Sequence, residues 1–268
     1  MYYAFLGLAV LSLVFLVLIR CRGRNPKLKE FSYYAYAHRG LHNEQVPENS
    51  MSAFRRAVMY GYGAELDVHL LKDGNLAVFH DSDLKRMTGQ EGIIEELTAE
   101  DLKNYHLNGT EETIPLLEDV LKVFEGKTPL IVELKSANNV AQLTETACKM
   151  LDRYHVQYCM ESFDPRCVRW LRKNRPDVVR GQLSENFLRD KNSKFPFLLR
   201  FCMTFLFTNV VTRPDFIAYR YRDRKQIAFQ LCLSVWKAKG VAWTLRTKQE
   251  YDNAVALKLL PIFEDFLP

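Results

Sequence analysis

The amino-acid sequence predicts an α/β protein: a (β/α)8 TIM barrel with a β-hairpin between its second and third strands, preceded by one N-terminal transmembrane helix. Three observations carry that expectation. Strand-like runs rich in β-branched and aromatic residues alternate with helix-like stretches, which is the pattern of a parallel sheet. Eight such runs fit into about 240 residues, the size of this barrel. One connection is too short for a crossover helix and carries an Asp-Gly turn signal instead.

The chain opens on MYYAFLGLAVLSLVFLVLI, 19 residues without a charged side chain. As a helix this run reaches roughly 28 Å, close to the hydrocarbon thickness of a bilayer. Its positive charges follow the apolar run instead of preceding it, unlike a cleaved signal peptide. Residues 1–19 are therefore expected to cross a lipid bilayer once. Residues 20–30 read as a basic juxtamembrane linker, because Arg20, Arg22, Arg24, Lys27 and Lys29 stand there and residues 1–29 hold no acid. A basic flank favours the cytoplasmic side, so residues 31–268 form a barrel expected in the cytoplasm at the cell membrane. The 32 basic residues beyond the first 29 match the chain's 32 acidic ones. A neutral body speaks against nucleic acid as a partner. Six cysteines without a C-x-x-C pair read as buried thiols.

Strands are expected at 33–38, 64–70, 76–80, 129–134, 158–163, 178–183, 215–220 and 241–245. Helices are expected at 50–61, 116–124, 139–154, 165–174, 195–207, 225–239 and 248–260. The hairpin lies in AELDVHLLKDGNLAVFHD, residues 64–81. With the turn centred between Asp73 and Gly74, Asp67 lies opposite His80, about 5 Å apart at Cβ. Glu65 and Asp67 share one face of their strand because side chains alternate. Two adjacent carboxylates need a proton or a cation between them, and hard divalent ions such as Mg2+ or Ca2+ take such oxygens. His69 shares the face but sits nearer the turn, in a supporting place.

Two further strand ends add to this group. AHRG supplies His38 and Arg39, and VELKS supplies Glu133 and Lys135. In a (β/α)8 barrel the C-terminal strand ends gather around one mouth. That mouth would hold three carboxylates for a metal, two cations for a phosphate and two histidines for proton transfer.

The motifs AHRG, VPENSMSAF, ELDVHLLKDG, LAVFHD, TIPLLEDVL, VELK and VAWT occur in this order. Together they resemble the glycerophosphodiester phosphodiesterase family, in particular its membrane-anchored bacterial-type members, over residues 34–245. The resemblance implies a barrel related to phosphatidylinositol-specific phospholipase C and a divalent cation, Mg2+ or Ca2+. It also implies hydrolysis of a glycerophosphodiester to glycerol 3-phosphate and an alcohol. His38 and His80 match the general acid–base pair, Glu65, Asp67 and Glu133 the metal ligands, and Arg39 and Lys135 the phosphate-facing positions. Glu48 and Asn49 in PENS match a supporting motif at the rim, and Trp243 a pocket aromatic. Two stretches depart from the family pattern: Trp243-Thr244-Leu245-Arg246 stands for W-T-V-N, and FEDFLP at 263–268 for a closing T-D-x-P. The apolar N-terminus adds an alternative, a membrane-anchored lysophospholipase D acting on lysophospholipids.

Overall fold

The computed structural model describes residues 1–23, 25–135, 138–189 and 196–268. Arg24 of the expected linker and the first residue of the helix expected at 195–207 lie outside the described residues. Nine strands form one sheet: β1 (Tyr36–Ala37), β2 (Gly63–Leu70), β3 (Leu76–Val78), β4 (Leu130–Leu134), β5 (Tyr158–Ser162), β6 (Arg180–Ser184), β7 (Phe216–Arg220), β8 (Lys239–Leu245) and β9 (Leu260–Phe263). Eight of them run parallel, and β1 pairs with both β2 and β9, which closes the ring.

The barrel is as expected, but its membership differs. The run at 76–80 yields β3, which pairs antiparallel with β2 and lies outside the ring. The eighth barrel strand is β9, where no strand is expected and only Leu260 falls within an expected element, the helix over 248–260. Only four residues long, with Pro261 inside it and no turn signal before it, β9 lacks the marks that identify the other strands.

The hairpin register also shifts by one. Val68 pairs with Val78 and Leu70 with Leu76, so the turn centres on Asp73 and not between Asp73 and Gly74. The Asp73 carboxylate accepts from the amides of Asn75 and Ala99, which fixes the longer turn, and Gly74 takes φ +87°. Phe79, whose amide donates to Asp67 O at 3.0 Å, thus takes the place expected for His80. His80 follows one residue past it.

Side-chain alternation divides the apolar residues into two layers. Ala64, Leu66, Val68, Leu130, Val132 and Leu134 belong to the layer between ring and helices. Tyr36, Ile131, Cys159, Ala218, Val241 and Ile262 point the other way and fill the interior. Leu28 and Phe31, on a short helix that runs from the end of the expected linker into the expected barrel, join that interior cluster. Ser50, Asn139, Asp164 and Thr247 cap outer helices through their side chains, each worth about 1 kcal/mol, and Gln226 caps another. Five of the six cysteines are buried, as expected.

Gly181 on β6 lies opposite Phe216 on β7. A Cβ at Gly181 would meet the buried Phe216 ring at 2.1 Å. Gly181→Ala is expected to cost about 1–3 kcal/mol, read as a lower denaturant midpoint.

The span expected over residues 1–19 is not found: among the described residues, no helix is long and apolar enough to cross a membrane. The N-terminal helix covers Tyr2–Leu18. Its C-terminal end is committed to the barrel: Phe15 packs on Phe207, the Leu16 carbonyl accepts from Trp236 Nε1, and buried Ile19 accepts from Asn209 Nδ2. The apolar residues before Phe15 remain exposed.

Candidate active site

The alternation that builds the interior also builds the site. Ile131 faces inward, so Glu133 two residues later does as well, nearer the mouth. The same step leads from Cys159 to Glu161, from Tyr36 to His38 and from Ile262 to Glu264. On β2, with Leu66 and Val68 outward, Glu65 and Asp67 face inward. Strand register brings Asp67 beside Glu133 and Glu133 beside Glu161. One small cavity is lined by His38, Arg39, Glu65, His80, Glu133, Glu161 and Trp243. A cleft of about 610 Å³ lies away from this group, beside the β-hairpin at Leu70, Glu95 and Arg166.

Glu65, Asp67 and Glu133 are buried, with one oxygen from each within 4.8 Å of the others. Lys135 Nζ bridges Asp67 Oδ1 at 3.0 Å and Glu133 Oε1 at 2.8 Å. Asn49 Nδ2 donates to Asp67 Oδ2 at 2.9 Å. The Arg39 amide donates to Glu65 Oε2 at 3.1 Å, and its guanidinium to Glu48 Oε1 at 2.8 Å. Arg39 Nε is buried without a hydrogen-bond partner, 3.6 Å from Asp67. Glu48 therefore orients Arg39, and Asn49 orients Asp67.

Charge is unevenly satisfied among these acids. Burial raises the Glu65 carboxyl well above the ordinary range, and the charges of Asp67, Glu133 and Glu161 push it further. Glu133 and Glu161 are likewise raised, mainly by burial. Asp67 moves the other way: burial is outweighed by Lys135, His80 and Arg39. Buried carboxylates that resist ionising side by side, with hard oxygen donors at ligand spacing, fit a divalent cation.

Each histidine rests on its own carboxylate. His38 Nδ1 lies 2.5 Å from Glu264 Oε2, with its Nε2 3.9 Å from Glu65. His80 Nδ1 lies 2.6 Å from Asp81 Oδ1. Burial lowers the His38 imidazole from its ordinary value, Arg39 adds to this, and the bond to Glu264 opposes it. Burial alone would raise Glu264, but the hydrogen bond from His38, the neighbouring His42 imidazole and the Arg246 charge hold it far below the carboxylate range. Trp243 lines the cavity and packs edge-on against Phe163, its Nε1 buried and unpartnered. His69 bonds Glu95 at 2.7 Å and the His80 carbonyl at 3.3 Å, which gives it the expected supporting place.

The structure thus gathers His38, Arg39, Glu65, Asp67, His80, Glu133, Lys135 and Trp243 at one mouth, with Glu48 and Asn49 behind them. Sequence reasoning missed Glu161 and Glu264. Glu161 carries a readable signal, an acid two residues past an apolar interior position in YCMES. Glu264 stands in FEDFLP, where the departure from the family pattern was visible but not its purpose.

A family model described as "Glycerophosphoryl diester phosphodiesterase family" matches residues 38–267. The chain belongs to this family. A glycerophosphodiester phosphodiesterase of Bacillus altitudinis is 40% identical over 113 residues, 39% of this chain and 45% of the relative. One from Caldanaerobacter subterraneus is 34% identical over 158 residues, 55% of this chain and 65% of the relative. Lysophospholipase D GDPD1 of Rattus norvegicus is 34% identical over 144 residues, 48% of this chain and 45% of the relative. The chain spans about half to two thirds of the length of these curated relatives. An Oleispira antarctica phosphodiesterase, solved with the product sn-glycerol-3-phosphate, superposes with TM-score 0.70 at 20% identity, covering 87% of this chain and 95% of that one. A glycerophosphodiester phosphodiesterase of Thermotoga maritima gives 0.66 at 23%, covering 87% and 94%. These likenesses show that the phosphodiesterase barrel is this chain's fold.

Proposed function

We propose that the protein hydrolyses glycerophosphodiesters to glycerol 3-phosphate and an alcohol, with a divalent cation and a pair of histidines as acid and base. The observation that carries this reading is the pairing of each histidine with a carboxylate, His38 with Glu264 and His80 with Asp81, across a buried group of acids.

Glu65, Asp67 and Glu133 would hold Mg2+ or Ca2+. Bound there, such an ion supplies positive charge for the phosphoryl oxygens as negative charge develops on them. Arg39 and Lys135 supply fixed positive charge to the same oxygens. Donation of Nδ1–H to Glu264 leaves His38 Nε2 with its lone pair toward the cavity, the form of a general base. His38 then takes the proton of the attacking hydroxyl, whether water or the substrate's own glycerol 2-hydroxyl. His80, its Nδ1–H held by Asp81, donates a proton from Nε2 to the leaving alcohol oxygen. Trp243 and Phe163 form an apolar wall for the glycerol carbons.

The test uses the full chain, because Ile19, Leu28 and Phe31 are part of its packed interior. Glycerol 3-phosphate release from glycerophosphoethanolamine is expected with Mg2+ or Ca2+ and lost with EDTA. Absence of glycerol 3-phosphate from this substrate and of free headgroup alcohol from lyso substrates, with either ion, would sink the reading.

One observation favours lysophospholipids as a second substrate class. The N-terminal helix exposes Tyr2, Tyr3, Phe5, Leu6, Leu8 and Leu11, an apolar surface that a lipid interface would cover. Under this reading the helix holds the barrel at the cell membrane, on its cytoplasmic side. Faster release of choline from lysophosphatidylcholine than from glycerophosphocholine would support it. Equal rates with and without vesicles would speak against it.

A further inference from the structure

A second constellation stands beside the carboxylate group, made of different residues. One ligand atom from each of His38, His42 and Glu264 lies within 4.8 Å of the others. His42 Nε2 is 3.7 Å from Glu264 Oε2, buried, and without a hydrogen-bond partner. Its backbone is fixed, the His42 amide donating to Gly40 O at 2.9 Å. The other Glu264 oxygen, Oε1, is taken by Arg246. Oε2 thus faces two imidazole nitrogens, one bonded and one open.

Two imidazoles and one carboxylate are the donor set of a tetrahedral zinc site with one position left for water. Ligand bonds of about 2.0–2.2 Å place tetrahedral donors about 3.4 Å apart. The His42–Glu264 spacing nearly meets this, whereas the His38–Glu264 pair must open by about 1 Å. Arg246 would remain on Oε1 and orient the carboxylate from outside. The acids at Glu65, Asp67 and Glu133 offer only oxygen and suit a harder ion.

We propose that His38, His42 and Glu264 form an inhibitory site for Zn2+, separate from the cation site at Glu65, Asp67 and Glu133. With zinc on His38 Nδ1, the neutral ring's single proton, otherwise held on Nδ1 by Glu264, has to sit on Nε2 instead. That nitrogen then has no lone pair with which to accept a proton from the attacking hydroxyl. The consequence for catalysis rests on the phosphodiesterase reading; the binding site does not.

The experiment titrates Co2+, a spectroscopic stand-in for Zn2+, into the full chain with Mg2+ in large excess to occupy the oxygen site. Wild type should bind one Co2+ with the intense visible bands of four-coordinate cobalt, and Zn2+ should bleach them. His42→Ala should weaken this binding by about tenfold or more and raise the Zn2+ concentration that halves activity by a similar factor. Its activity without Zn2+ should equal that of wild type, which also shows that it folds. His42→Cys should restore tight binding and add a thiolate-to-cobalt band. Weak six-coordinate bands in wild type, or a His42→Ala variant that binds Co2+ and is inhibited as wild type is, would overturn the proposal. If no substrate is turned over, the cobalt spectra still decide the site, so failure of the activity and failure of the site are read separately.

Discussion

His38→Ala and His80→Ala are each expected to lower kcat on glycerophosphoethanolamine by about 10²–10⁴-fold, the usual contribution of a positioned acid or base. The two losses should respond differently to the leaving group. A glycerophosphodiester of p-nitrophenol needs no proton on its departing oxygen, so His80→Ala should recover most of its rate on that substrate. His38→Ala should not, because its defect lies in activating the nucleophile. Recovery of both, or of neither, would refute the division of roles. The pH profile gives a second check. Burial lowers His38, so the acidic limb of wild-type kcat/KM should fall below the ordinary imidazole value of about 6.5. Below that limb His38 is protonated and cannot act as base.

Glu264→Gln should be nearly as damaging, with kcat down about 10²-fold or more and KM little changed. The carboxylate is an acceptor only, so it holds His38 with its proton on Nδ1 and Nε2 free. A glutamine amide can also donate, which permits the opposite tautomer and loses the negative charge that stabilises the imidazolium once formed. Glu264→Asp keeps the charge with a shorter reach and should fall between the two. Matching denaturant midpoints for wild type and Glu264→Gln would separate this effect from lost stability. An unchanged kcat with an intact fold would remove Glu264 from the mechanism.

Local pattern made much of the site legible. Alternation put Glu65 and Asp67 on one face, and a barrel's single mouth brought His38, Glu133 and Lys135 to them from other strands. The hairpin was recognised from chain length and its Asp-Gly pair, yet its register came out one residue different. Part of what fixes the turn lies outside the hairpin: Asp73 is bonded not only by Asn75 but by Ala99, 26 residues on. The same limit explains Glu264, which meets His38 across 226 residues. The final strand, four residues with a proline, becomes a strand through its neighbours β8 and β1 more than through its own preferences. At the N-terminus hydropathy recognised an apolar helix, but not that Ile19 would find a polar partner, Asn209, inside the fold.

The seam between β1 and β9 has a consequence for how the chain comes to be folded. β1 finds its second neighbour more than 220 residues later, and Ile19 finds Asn209 190 residues later. During synthesis both open sheet edges must wait until β9 has been made, and the His38–Glu264 pair forms only with that strand. Long-range closure of this kind is slow, and unpaired edges attract other chains meanwhile. A nascent chain stalled before residue 260 would hold every acid of the cation site yet lack the partner of its base, so competence for chemistry would arrive with completion of the ring.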